Sequence, residues 1–171
     1  MNRKQALSIY LLGTFTQLLL VSLLVWFLRA GRTKVDFTST IGIIAIVLGG
    51  LSSAFWGSLA SIGYHQSSFK KLLKDFFQVK DSLANYSLVL VFLSLEFMPF
   101  IFDGKIIMQS WFLPVVLFFK ALLFGGVEEI GWRYFFQPTL QEKIPYLSAT
   151  LITFLAWSSW HLFYFYIEGS F

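Results

Sequence analysis

The run from Ala6 to Leu28 carries no charged residue and is at least as long as the ~20 residues a bilayer asks of a spanning helix. A second such run goes from about Thr40 to Tyr64, and a third from about Leu83 to Phe102 holds Glu96 and Pro99. A fourth begins near Ser110 and should reach Gln137, with Lys120 near its middle and Pro138 marking its end or a kink. A fifth begins near Pro145 and contains Trp157, Trp160 and His161. In lipid every backbone group must be satisfied within helices or closed barrels, and these runs lack the alternation of barrel strands. The expectation is an all-α polytopic membrane bundle of about five transmembrane helices.

Composition agrees. Of 171 residues 57% are hydrophobic and 13% charged, about half the charge of an ordinary soluble domain. The 13 Lys and Arg exceed the 9 Asp and Glu, an excess accounted for by loops facing an anionic leaflet, with no call for nucleic acid. The absence of Cys excludes a disulfide framework, a thiolate metal site and a cysteine nucleophile. The first run exceeds a signal-peptide core and lacks a small-residue cleavage site, so it reads as a retained span. No soluble domain, linker or repeat interrupts the chain, and 1–171 reads as a single membrane domain.

Two patterns organise the spans. Ala45, Gly49, Ser53, Gly57 and Ser61 form an i+4 stripe of small residues, which admits close approach of another helix. From Ser67 to Val79, Phe69, Leu72, Leu73, Phe76 and Phe77 share one helical face opposite Lys70, Lys71 and Lys74, the pattern of an interfacial helix lying on the membrane. With the N-terminus inside, the cytoplasmic segments hold Arg3, Lys4, Lys70, Lys71, Lys74, Lys80, Arg133 and Lys143, against Arg29, Arg32, Lys34 and Lys105 outside. The positive-inside rule therefore favours a cytoplasmic N-terminus.

An ionisable side chain at the bilayer centre costs ~2.5–3.5 kcal/mol on insertion scales, so it needs a reason. The fourth run carries Gly125-Gly126-Val127-Glu128-Glu129-Ile130-Gly131-Trp132-Arg133. On a helix Glu129 and Arg133 are i and i+4, acid first, and can pair. Glu128 lies about 100° around the helix with no cation three or four residues on. An uncommitted carboxylate in low-dielectric surroundings is suited to activating water.

His161 falls inside the fifth run, where a neutral imidazole can ligate a metal, hold a water or orient an oxyanion. A lone buried histidine is more often a satisfied core residue. It gains weight because runs four and five are consecutive and closely joined, so that Glu128 and His161 can face one cavity. Their depths must be matched: at ~1.5 Å per residue Glu128 lies about 15 Å before Pro138 and His161 about 24 Å beyond Pro145. The connection must continue helically past the bilayer edge or bend at Pro138.

The remaining polar residues have plainer readings. Lys120 suits a buried ion pair with Glu96 or Glu128 as well as a role at the site. Glu96 reads as a pairing or snorkelling residue. Ser158 and Ser159 read as helix-packing hydroxyls, and His65, at a span end, as solvated. An ion-relay transporter would call for inverted repeats or paired broken helices, and neither pattern is present.

These residues resemble the CPBP intramembrane proteases, also called the CAAX-protease and bacteriocin-processing or Abi family. The first motif of that family, Glu-Glu-x-x-x-Arg, is matched by Glu128, Glu129 and Arg133. The second, an aromatic four residues before His, is matched by Trp157 and His161, with Trp where Phe is commoner. The resemblance covers roughly Phe118 to Tyr166, within a motif-bearing region of about 110–168. It implies hydrolysis of a peptide bond in a membrane-associated or prenylated-type protein or peptide, with Glu128 as general base, His161 as its partner, and Glu129 and Arg133 bracing the site. A divalent metal, zinc, is a candidate cofactor and His161 its candidate ligand.

Family members carry a third motif, His followed four residues later by Asn or Asp, in further spans. Phe171 precedes any such motif, so the sequence reads as the N-terminal part of such a domain or a degenerate member. A non-catalytic immunity or binding protein on the same fold is the alternative. The implied partners are membrane lipid and a peptide or protein substrate, in a bacterial plasma membrane; oligomeric state and prenylation of the substrate stay open.

Overall fold

The computed structural model describes residues 1–66, 68–78, 82–102 and 125–170. The described residues are helical, with no strand among them. Helix α1 spans Arg3–Ala30 and begins in a capping box, in which the Asn2 side chain accepts the Gln5 N–H and Gln5 returns a bond to the Asn2 N–H. Helices α2, Thr40–Gly50, and α3, Ser52–His65, follow. They are two parts of the expected second span, separated only at Leu51, and Ser39 caps the first. By length and composition, α1 and Thr40–His65 are each able to cross a membrane.

The expected interfacial helix forms as α4, Phe69–Phe76, shorter than the pattern; Ser68 caps its start. Ser67 and Val79 lie outside the described residues. Its apolar face is turned onto protein: Leu72 is buried in a cluster with Ala54 and Ile130, beside Leu73, Phe76, Val127 and Tyr134. Phe69 and Phe77 stay exposed. Helix α5 spans Leu83–Phe102, the expected third span. The Glu96 side chain, Lys80, the turn at 103–105, Lys120 and the first part of the fourth span, 110–124, lie outside what is described.

The described fourth span has three parts: α6, Val127–Glu129, a π-helical segment, Ile130–Phe136, and α7, Gln137–Gln141. The expected end at Pro138 is not there: the helix runs on to Gln141, its winding changing from π to α at Gln137. Pro138 falls in the first turn of α7, so the change of winding sits where its missing N–H interrupts the backbone ladder. Helix α8, Tyr146–Glu168, starts from Pro145 as expected and ends at Gly169, whose φ of 91° is left-handed.

Long-range contacts fix which ends lie together. At one end the Arg3 guanidinium donates to the carbonyls of Thr139 (2.8 Å) and Leu140 (3.2 Å), and the Tyr64 hydroxyl donates to Glu142 (2.7 Å). At the other, Arg29 donates to the carbonyls of Tyr166 (2.7 Å), Ile167 (3.0 Å) and Val35 (2.9 Å). Thus α1 and α8 run the same way and α2–α3 the opposite way. Arg29 also satisfies carbonyls that the end of α8 leaves open.

The core gathers around Tyr10, whose ring meets Trp132, Phe135 and Phe136 at centroid distances of 5.3, 5.5 and 5.2 Å. The small-residue stripe is buried throughout and receives the π-helical segment. A Cβ on Gly57 would overlap the Gly131 backbone, and one on Gly131 would overlap Ser53.

Candidate active site

The stripe sets the backbone at the Glu pair. Ser53 Oγ donates to the Glu128 carbonyl at 2.9 Å. Having used its hydrogen there, it accepts the Tyr10 hydroxyl at 3.0 Å. This bond reaches the chain where it passes from α-helix to π-helix. Such π segments displace the backbone ladder and recur at functional sites.

Glu128 and His161 are brought together. The Glu128 side chain is largely buried, and its Oε1 lies 3.9 Å from His161 Nε2. Helical continuation past Pro138 resolves the depth constraint: Glu128 lies about 20 Å before Gln141 and His161 about 22 Å beyond Tyr146 at ~1.5 Å per residue. Two matched arms joined by a short turn bring the residues level.

The His161 tautomer follows from its other nitrogen. Nδ1 is 3.0 Å from the Trp157 carbonyl oxygen; that oxygen can only accept, so Nδ1 carries the hydrogen and a neutral ring offers a lone pair at Nε2. Trp157 packs on the imidazole at 4.0 Å, Trp160 at 4.8 Å and Phe165 at 5.4 Å between centroids. Trp160 is itself held by donating to Ser52 Oγ at 2.9 Å. At 3.9 Å the Glu128 oxygen and Nε2 are too far apart for a direct hydrogen bond. Two acceptors facing each other are reconciled by a hydrogen donor between them, such as one water molecule. The pair opens on a cavity of about 190 Å³ lined by Phe37, Gly125, Trp160, Tyr164, Phe165 and Glu168.

Glu129 and Arg133 pair at 3.3 Å, as their spacing leads one to expect. Arg133 also donates to Gln137 Oε1 at 2.6 Å, and Gln137 Nε2 donates to Thr150 Oγ1 on α8 at 3.1 Å. Sequence reasoning missed this extension, although Gln137 stands four residues beyond Arg133 and was open to the same spacing argument. It also missed Ser53 as more than a packing residue, and no local signal marks its partner.

The other candidates fall away from the pair. His65 is exposed and packs at a tilt against Tyr64, and Ser159 donates to Leu155 O in its own helix. Among the described residues no cluster of three metal-ligating side chains forms. Glu128 and His161 supply two donors where catalytic zinc takes three protein ligands. A divalent ion would need its third ligand from beyond the described residues.

Residues 109–170 match the type II CAAX prenyl endopeptidase Rce1-like family. Both motif segments fall inside that range. The chain is also 28% identical to CAAX prenyl protease 2 of Methanococcus maripaludis, over 96% of its own length and 64% of the relative's. No solved structure matches it.

Proposed function

We propose that this chain, whose residues 109–170 match the Rce1-like CAAX prenyl endopeptidase family, carries the Glu128–His161 pair of an intramembrane endopeptidase that hydrolyses a peptide bond of a prenylated or membrane-associated protein. The observation that carries the reading is the 3.9 Å approach of Glu128 Oε1 to a His161 Nε2 whose lone pair is set by the Trp157 carbonyl.

A water donating to both groups turns its own lone pairs toward the cavity. Its oxygen bonds to the scissile carbonyl carbon while Glu128 takes its proton. Collapse of the adduct breaks the carbon–nitrogen bond, and Glu128 returns the proton to the leaving amine. Glu129 and Arg133 hold the segment that presents Glu128. In this reading α5, the segment leading to Glu128 and α8 complete five spans in a plasma membrane. The N-terminus is cytoplasmic, with Arg3, Lys4, Lys143 and the α4 lysines on that side.

The test is release of the C-terminal tripeptide from a farnesylated C-a-a-X peptide by the chain reconstituted in liposomes. Glu128→Gln should lower the rate by about 10²–10⁴, the usual contribution of a positioned base. Cleavage by Glu128→Gln at the wild-type rate would overturn the assignment, and no release by wild type would overturn the substrate class. Loss of cleavage on chelation, restored by zinc, would add a metal to the site.

A further inference from the structure

Trp157 lies one helical turn before His161 and holds the imidazole in two ways, through ring contact at 4.0 Å and through its carbonyl oxygen on Nδ1 at 3.0 Å. Its third polar feature is unused: the indole Nε1 is buried and completes no hydrogen bond among the described residues. The carboxyl beside that N–H is that of Glu128. A buried donor left without a partner costs ~1–3 kcal/mol, and a carboxylate is the strongest acceptor it could be offered. The backbone of Glu128 is pinned by Ser53, whereas its carboxyl is left to turn toward its neighbours. A Glu128 carboxyl turned onto the indole N–H would satisfy both groups.

We infer that Trp157 is the positioning residue of the pair, its indole N–H closing onto the Glu128 carboxylate while its carbonyl and ring fix His161. The base and its partner are then aligned by one side chain on α8. A phenylalanine at 157 would keep a ring contact and the carbonyl contact but have nothing to donate. The inference rests on the proposal that Glu128 is the base, and its test separates the two.

The first arm needs no activity. The indole ¹H–¹⁵N resonance of Trp157, assigned by its loss in Trp157→Phe, should move upfield and exchange faster with solvent in Glu128→Ala, and stay in place in Glu129→Ala. A resonance that ignores Glu128→Ala overturns the inference.

The second arm is hydrolysis of the farnesylated C-a-a-X peptide. Trp157→Phe should lower kcat about tenfold, the scale of one hydrogen bond to a charged group, and leave KM unchanged; a purely structural role would move stability and KM together. Benzothienylalanine at position 157 keeps the full bicyclic ring without the N–H, so it must show the same loss even if Trp157→Phe fails to fold. Wild-type kcat in that isostere overturns the inference. If the wild-type chain releases no peptide, the proposed substrate class fails, and the indole resonance alone decides whether Trp157 holds Glu128.

Discussion

Gly57 on α3 and Gly131 in the π-helical segment meet backbone to backbone, with no room for a Cβ on either. A methyl at Gly131 would overlap the Ser53 hydroxyl and backbone carbonyl, and backbone, unlike a flexible side chain, cannot rotate away. Gly131→Ala should therefore destabilise the chain in detergent by about 1–3 kcal/mol, measured as a fall in denaturation midpoint. Gly63→Ala is the contrast. The nearest atom to a Cβ there is the tip of the Met1 side chain at 3.0 Å, which can move. That substitution should be neutral or raise stability by up to about 1 kcal/mol, the usual helix-interior gain of Ala over Gly.

The relay from Tyr10 through Ser53 to the Glu128 carbonyl is buried along its length. Ser53→Ala orphans a hydroxyl and a carbonyl together, and should cost about 1–3 kcal/mol. The loss should shrink when Tyr10 is already Phe, because one of the two orphans is then absent. A double-mutant cycle on Tyr10→Phe and Ser53→Ala measures that coupling. A coupling energy of zero would show that the two hydroxyls act independently.

What could be read from the sequence was what depends on spacing along one helix. The Glu129–Arg133 pair, the small-residue stripe, the lysine face of α4 and the start of α8 at Pro145 all follow from helical period or from proline chemistry, and they stand in the structure. The meeting of Glu128 with His161 depended on two helices reaching equal depth, and Pro138 suggested an earlier stop than the structure makes. Nothing in Ile130–Phe136 announces π-helical winding. Its composition is that of any apolar helix, and only the structure shows the winding, beginning beside the contact of Gly131 with Gly57 and just after the Glu128 carbonyl that Ser53 binds. The stripe told that a helix would approach closely and left open which one.

Gln137 joins the fourth span to α8 by accepting from Arg133 and donating to Thr150. It is 8% exposed, so water replaces those bonds poorly. Gln137→Ala should cost about 1–2 kcal/mol in stability. Thr150→Val removes only the outer bond and should cost less. Equal losses in the two variants would place the main interaction at Thr150 instead of Arg133, and thermal denaturation in detergent distinguishes the cases.

The docking of α4 should depend on acid. Asp75 accepts from Lys71 Nζ at 2.6 Å and from the Tyr134 hydroxyl at 3.1 Å, the second bond tying α4 to the π-helical segment. The Lys71 ammonium, helped by the Tyr134 hydroxyl, holds the Asp75 carboxyl below its ordinary value of 3.8. Lys71 lies on α4 itself and acts on Asp75 whether or not α4 is docked, so only the share from Tyr134 belongs to docking; that share stabilises the docked state fully above the undocked pKa and is lost as pH falls through the docked one. Because the chain has no cysteine, Gln78→Cys gives a single site for a nitroxide label at the exposed end of α4. Its mobility should be flat at neutral pH and rise reversibly only in acid below the ordinary carboxylate range. In Asp75→Asn the same label should show no acid step. An acid step of the same size in that variant would mean that another carboxylate, such as Glu142 at the same end of the bundle, governs the release.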